Sequence, residues 1–259
     1  RFFSKNKIEY VFDAAAKVGG IYANDRYPAE FIYQNTMIQN NLINSSFKNN
    51  IKKFLFLGSV CIYPKFAPSP VKEESLLCGE LEPTNEAYAI SKIHGIHLLK
   101  AYNKQYGFKS VSLMPCNLYG PNDNFHPLNS HVIPALIRKF HFAGDGPVEC
   151  WGDGSPSREF MYVDDLADAC LFSISNFQDA ELVNISSGEN IKIKDLAESI
   201  SKLTGYKGSI SWDKTKPNGT PDRPLDCSRI SSLGWRPKYT LQKGLKESYE
   251  WFKENYKHR

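Results

Sequence analysis

Between residues 54 and 115 the chain runs strand, helix, strand, and this rhythm constrains the fold more than any other feature. Phe54-Leu55-Phe56-Leu57 is a continuous apolar run that stops at Gly58 and Ser59. A run without polar alternation suits a parallel strand buried on both faces. Thr84 to Tyr106 reads as a long helix, capped by Thr84 or Asn85 and ended by Gly107. Ser110-Val111-Ser112-Leu113-Met114-Pro115 is the next strand. Parallel strands need a crossover of that length, so the expected class is α/β with a doubly wound parallel sheet.

The rest of the chain extends this pattern and then departs from it. Ile8 to Ala16 reads as a short buried strand entering a small-residue turn, and residues 28 to 49 carry helical spacing. Beyond about residue 121 Pro, Gly, Asn and aromatics become frequent and the elements shorten. Leu182 to Ser186 reads as a late strand, and Lys194 to Thr204 and Lys243 to Tyr256 as helices. Pro217 to Pro221 is a loop by its turn residues. The expected organisation is a domain over 1–120 and a smaller α/β lobe over 121–259, interleaved with it.

Composition excludes several classes of function. A net charge of +4 on 259 residues does not argue for nucleic acid, and an anionic small ligand suits it equally. No apolar run has the length of a membrane span, and no secretory leader pattern is present. The six cysteines, at 61, 78, 116, 150, 170 and 227, form no CxxC pair and have no His at zinc-ligand spacing. No metal site is expected. Free thiols suit a reducing cytoplasm, and most of these cysteines are expected to be small buried hydrophobes.

Three separated stretches carry chemistry: Gly58 to Lys65, Tyr88-Ala89-Ile90-Ser91-Lys92, and Asn129 to Pro134. Tyr88 and Lys92 are four residues apart, so one helix face presents both. A nearby ammonium favours phenolate and is expected to lower the Tyr88 pKa. Ser59 ends a buried strand, where parallel sheets place ligands, and its hydroxyl can orient a carbonyl toward Tyr88. Cys61 is two residues on, and an extended chain would point it to the same side as Ser59. His131 adds an acid/base group, with His126 and His141 as alternatives that spacing does not separate. A Tyr, Ser and Lys can protonate a carbonyl during reduction. A Cys and a His supply a second acid/base pair. Epimerisation beside a keto group followed by its reduction needs both sets. Arg138, Lys139, Arg158 and Arg223 are candidates for anion recognition. Arg158 stands out because it follows the turn-rich stretch Trp151-Gly152-Asp153-Gly154.

The stretches Ala14 to Ile21, Phe56 to Lys65, Leu81 to Lys92, Asn117 to Pro121, Asp123 to Pro127, Asn129 to Leu136, Arg158 to Phe160, Lys216 to Pro221 and Leu233 to Trp235 closely resemble the GDP-L-fucose synthase family. These are extended short-chain dehydrogenase/reductases with a Rossmann-type domain. The likeness runs essentially from end to end. It implies NADPH-dependent conversion of GDP-4-keto-6-deoxy-D-mannose to GDP-L-fucose by 3,5-epimerisation and then 4-keto reduction. It implies Ser59, Tyr88 and Lys92 as the reductase set and Cys61 with His131 as the epimerase pair. Leu57, Gly58, Ser59, Lys92, Pro115, Cys116, Asn117, Leu118 and His131 match cofactor-contacting positions. Lys139, Trp151, Arg158 and Asp226 match positions around the GDP-sugar. A homodimer through the Thr84 helix is implied as well.

Three departures are visible. Position 139 is Lys where some relatives have Arg, and position 60 is Val where relatives often have Ser. The family's opening strand and GxxGxxG-type turn have no counterpart, and Gly19-Gly20 is not that turn. The expectation is an N-terminally truncated chain lacking roughly 50 to 60 residues, two strands with their crossovers, with weakened cofactor binding. The rival readings are another NDP-sugar epimerase/reductase of this fold, such as a 4-epimerase, and an inactive sugar-nucleotide-binding fragment.

Overall fold

The structure, a computed structural model, describes residues 2–127, 129–216 and 222–256. The expected loop at 217–221 lies outside the described residues. The chain forms two compact units. The first comprises Arg1–Cys116, Leu166–Ile185 and Leu225–Arg236, and the second Asn117–Asp165, Ser186–Pro224 and Pro237–Arg259.

In the first unit the strands are β1 (Tyr10–Asp13), β2 (Lys53–Leu57) and β3 (Ser110–Pro115), with β7 (Glu181–Ile185) arriving later. They form a parallel sheet in the order β1-β2-β3-β7. Between β1 and β2 run α1 (Ile21–Arg26) and α2 (Pro28–Lys48), and α3 (Glu86–Tyr106) crosses from β2 to β3. This is the parallel α/β architecture expected from the strand-helix-strand rhythm. β3 is buried along its whole length and β2 along all but its last residue, so Lys53, Ser110 and Ser112 are enclosed with the apolar residues of two strands covered on both faces. Ile43 of α2, Ile96 and Leu99 of α3, and Phe54, Phe56 and Met114 of the sheet share one core. His94 and Asn40 (2.8 Å) and Tyr102 and Asn44 (3.3 Å) add side-chain hydrogen bonds between α3 and α2. Gly107 ends α3 in the left-handed conformation at φ 68°, where a side chain would be strained. α7 (Ser228–Ser232) also belongs to this unit.

The second unit has β4 (Asn117–Tyr119), β6 (Ser157–Tyr162) and β8 (Asn190–Lys192) in one sheet, and β5 (Val148–Trp151) paired with β9 (Ile210–Asp213) in another. β4 and β6 are parallel, and β6 and β8 antiparallel. With α4 (Val132–Phe142), α6 (Ile193–Thr204) and α8 (Leu241–Asn255) they enclose Tyr119, Phe125, Ile137, Phe140, Leu196 and Phe252. α5 (Val163–Asn176) carries the chain from the second unit back into the first.

Three expectations are corrected. β1 is not buried: Tyr10 and Phe12 are exposed and only Asp13 is enclosed, because β1 pairs with β2 alone among the described residues. No side chain caps α3, although Asn85 occupies its N-cap. Cys116, Cys150 and Cys170 are buried, but Cys78 is exposed and Cys227 half-buried. Cys78 lies in an exposed loop, and Cys227 is the N-cap residue of α7. No described helix is long and apolar enough to cross a membrane.

Candidate active site

The reductase candidates meet at the carboxyl end of β2. Leu57 closes that strand, and the Gly58 N–H donates to the Leu113 carbonyl on β3 (2.9 Å). Ser59 then leaves the strand and caps a 3-10 turn over Val60–Ile62. Its hydroxyl accepts from the Cys61 N–H (3.2 Å). The chain is therefore coiled here, not extended. A serine turn, rather than strand alternation, sets Cys61 beside Ser59.

Tyr88 and Lys92 face this end of the sheet from the first two turns of α3. Burial pushes the Tyr88 phenol well above its ordinary range, Cys61 adds to that rise, and a hydrogen bond with Ser59 opposes it. Lys92 is buried, and its ammonium donates to the Leu57 carbonyl (2.8 Å). It lies 4.8 Å from the Phe56 ring centroid and 5.9 Å from that of Tyr88. Burial lowers its pKa to about 8, against a pull upward from Asp13. The expectation that Lys92 lowers the Tyr88 pKa is overturned. The ammonium is committed to a backbone carbonyl, and desolvation dominates both groups.

Sequence patterns do not single out two of the neighbours. Asp13, at the end of β1, is 2% exposed, and its carboxyl is pushed up by burial, with the Ala15 N–H and Lys92 opposing. Asn85 donates from Nδ2 to Cys61 Sγ (3.3 Å). An acid at a strand end and an Asn before a helix are ordinary residues in sequence, so only the fold exposes their setting.

Further along the same unit, Pro115 ends β3, and the buried Cys116 donates its N–H to the Ile185 carbonyl (2.9 Å). Asp226 follows the segment that bridges to Val71, and its carboxylate accepts from the Ser228 N–H (2.8 Å). That bond and the Ser228 hydroxyl hold it below the usual carboxylate range. Asn184 ties the region together. It accepts from the Tyr63 hydroxyl (2.6 Å) and donates to the carbonyls of Val71 (3.0 Å) and Asp226 (3.2 Å).

The remaining candidates lie in the second unit. Asn117 on β4 donates to the Glu159 carbonyl (3.0 Å), and Leu118 follows it. His131 is exposed at the N-cap of α4, and the nearby Asp123 carboxyl is raised by burial, with the Asn124 N–H and His131 opposing. Of the alternatives, His141 hydrogen-bonds Tyr249 (3.0 Å) and packs edge-on to Phe252. His126 Nδ1 accepts from the Asn129 N–H (3.3 Å) in the loop before α4. Lys139 on α4 donates to the Glu149 carbonyl of β5 (2.8 Å). Trp151, half exposed at the end of β5, has the Lys216 ammonium over its ring at 5.8 Å. Arg158 on β6 is held below its ordinary pKa by burial and by Arg223, with Asp222 opposing. Arg158 and Arg223 together make a local excess of positive charge suited to an anion.

Residues 1–186 match the model of the NAD dependent epimerase/dehydratase family. GDP-L-fucose synthase 1 of Arabidopsis thaliana is 55% identical over 98% of this chain and 80% of its own length. The chain belongs to that epimerase/dehydratase family, on its GDP-L-fucose synthase branch. Among solved structures, the GDP-mannoheptose C4 reductase MlghC of Campylobacter jejuni, with NADP bound, is 39% identical with a TM-score of 0.88, covering 97% of this chain and 83% of that one. A GDP-L-fucose synthetase from Naegleria fowleri, bound to NADP, is 27% identical with a TM-score of 0.90, covering 99% and 80%.

The first unit fits such a cofactor. Parallel strands end together, and a Ser hydroxyl, a Tyr phenol and a buried Lys ammonium gather where open α/β sheets bind dinucleotides. Among the described residues no group of three or more His, Cys, Asp or Glu could hold a metal ion.

Proposed function

We propose that this chain carries the chemistry converting GDP-4-keto-6-deoxy-D-mannose to GDP-L-fucose with NADPH, by 3,5-epimerisation and then reduction at C4. The supporting observation is the Cys61 thiol set by the Ser59 turn at the carboxyl end of β2, with the Asn85 amide at the head of α3 donating to its sulfur, beside the reductase candidates. A simple reductase or a 4-epimerase has no use for an acid/base thiol at that place.

The C4 ketone acidifies the protons at C3 and C5. Cys61 and His131 remove and return those protons, with Cys61 the favoured base. When bound, the dihydronicotinamide supplies hydride to C4. Tyr88, kept protonated by burial, gives its proton to the C4 oxygen, and Ser59 holds that oxygen. Lys92 fits the cofactor's ribose hydroxyls. Leu57, Gly58, Pro115, Cys116, Asn117, Leu118 and His131 line the cofactor in this reading. Lys139, Trp151, Arg158 and Asp226 take the GDP-sugar, the two cations on its diphosphate. The first unit is then the cofactor domain, and the second chiefly the substrate lobe.

The protein acts in the cytoplasm as a homodimer. Tyr33 and Met37, one turn apart on α2, and Ile90 on α3 are exposed apolar side chains available to the partner copy.

The test is mass spectrometry of the sugar nucleotide in deuterated water. Cys61→Ser replaces a thiolate with a far weaker base and should abolish most deuterium entry at C3 and C5. Exchange at the parent rate would reduce Cys61 to a small packing residue and the chain to a plain reductase.

A further inference from the structure

Asn85 breaks a local rule at the proposed site. An Asn at a helix N-cap ordinarily turns its side-chain oxygen onto the backbone N–H two or three residues ahead. Asn85 occupies the N-cap of α3 and makes no such bond. Its Nδ2 instead donates to Cys61 Sγ at 3.3 Å. Its Oδ1 is buried and has no hydrogen-bond partner. The residue thus gives up a stabilising cap and leaves a polar atom unsatisfied, and what it gains is contact with one sulfur. Local rules are broken in this way at functional sites.

We propose that Asn85 is a positioning residue for Cys61. Its amide aims the sulfur and supports both protonation states of the thiol. This inference rests on the reading of Cys61 as an epimerase acid/base group. Such a group must take a proton and return it. A carboxamide suits the cycle because it carries a donor and an acceptor on one pivot. The NH2 end stabilises the thiolate, and the oxygen end, turned over, accepts from the S–H. A carboxylate could do only the second, and an ammonium only the first.

Several titratable and charged groups belong to the elements packed around the sulfur. Tyr88 faces it from α3 and interacts with it electrostatically. Lys92, one turn further on, has its ammonium on the Leu57 carbonyl. Lys65 and Glu82 form an ion pair (3.1 Å), Glu82 lying on the segment that leads into Asn85. On the backbone side Ser59 accepts from the Cys61 N–H.

The experiment uses the full chain and two variants. Asn85→Ala removes the amide. Asn85→Asp keeps its shape and a good N-cap residue but loses the donor. Iodoacetamide is the probe, and alkylation of the Cys61 peptide is followed by mass spectrometry across the titration range of a thiol. Deuterium entry at C3 and C5 is measured in parallel. In Asn85→Ala the midpoint of alkylation should rise by roughly half to one pH unit. It should rise further in Asn85→Asp, where a carboxylate repels the thiolate. Deuterium entry should fall about fivefold or more in both. A residue that only shapes the loop would leave Asn85→Ala at the parent midpoint, and that result overturns the proposal. If the midpoints shift as expected while Cys61→Ser still exchanges deuterium, Asn85 keeps its hold on the sulfur and it is the epimerase reading of Cys61 that fails.

Discussion

Lys92 carries an ammonium into surroundings that favour the neutral amine. Its partners are one carbonyl, two aromatic faces and Asp13, whose own carboxyl burial pushes up. Its titration should therefore be visible near pH 8, by carbon NMR of the reductively methylated protein. Asp13→Asn removes the one opposing charge and should move that titration lower still. An unchanged titration would mean the two groups do not interact. The stability consequence follows from the same shift. Between about 8 and the ordinary value near 10.4, the unfolded chain binds the proton and the folded chain does not. This group thus makes the fold more stable as pH rises through that window, and Lys92→Met should remove the rise, as denaturant titrations at several pH values can record. Tyr88 is the complementary case. Its phenol is pushed up by burial, which suits the proton-donor role proposed for it. Tyr88→Phe should slow NADPH oxidation by roughly 10²–10⁴-fold while deuterium still enters C3 and C5. Loss of both signals together would place Tyr88 in the epimerisation as well.

Elements with a single strong signal are legible in the sequence alone. The apolar run of β2, the Gly107 stop of α3 and the amphipathic spacing of α8 each state their own geometry. Elements whose identity depends on partners are not. β1 has the same apolar letters as a buried strand, and only its pairing on one side leaves Phe12 in solvent. β5, β8 and β9 are short, and their pairings come from distant segments. At the site, residue identities are legible because Ser, Tyr and Lys sit at spacings with a meaning. Their electrostatics are not, because desolvation is a property of the packed state. Gly95 of α3 shows the same division. Nothing local requires Gly in that helix, yet a Cβ there would lie 2.7 Å from Phe56 Cζ and 2.8 Å from Gln39 Oε1. Gly95→Ala gains helix propensity but overpacks the contact of α3 with α2 and β2. A net loss of about 1–3 kcal/mol is expected from urea unfolding. A stabilised variant would show that α2 yields freely at Gln39.

On the scale of the whole molecule, two apolar surfaces compete for partners and should give different assemblies. The apolar side chains Tyr33, Met37 and Ile90 are a finite set, and a two-fold contact through them closes on itself. The β1 edge is of another kind. Among the described residues it pairs only with β2, leaving its outer backbone groups without a neighbouring strand. Tyr10 and Phe12 stand 47% and 44% exposed along it. An unpaired, aromatic edge is a template for another strand, and nothing in its geometry limits how many copies join. The chain should therefore show association beyond the proposed dimer that grows with concentration, measurable by light scattering after size exclusion. Phe12→Lys places a charge on that edge and should suppress the larger species while leaving the dimer. Tyr33→Lys should do the reverse, weakening the dimer while the larger species persist. A parent chain that stays monodisperse at high concentration would mean that the β1 edge is protected, and equal effects of the two substitutions would mean that one surface serves both assemblies.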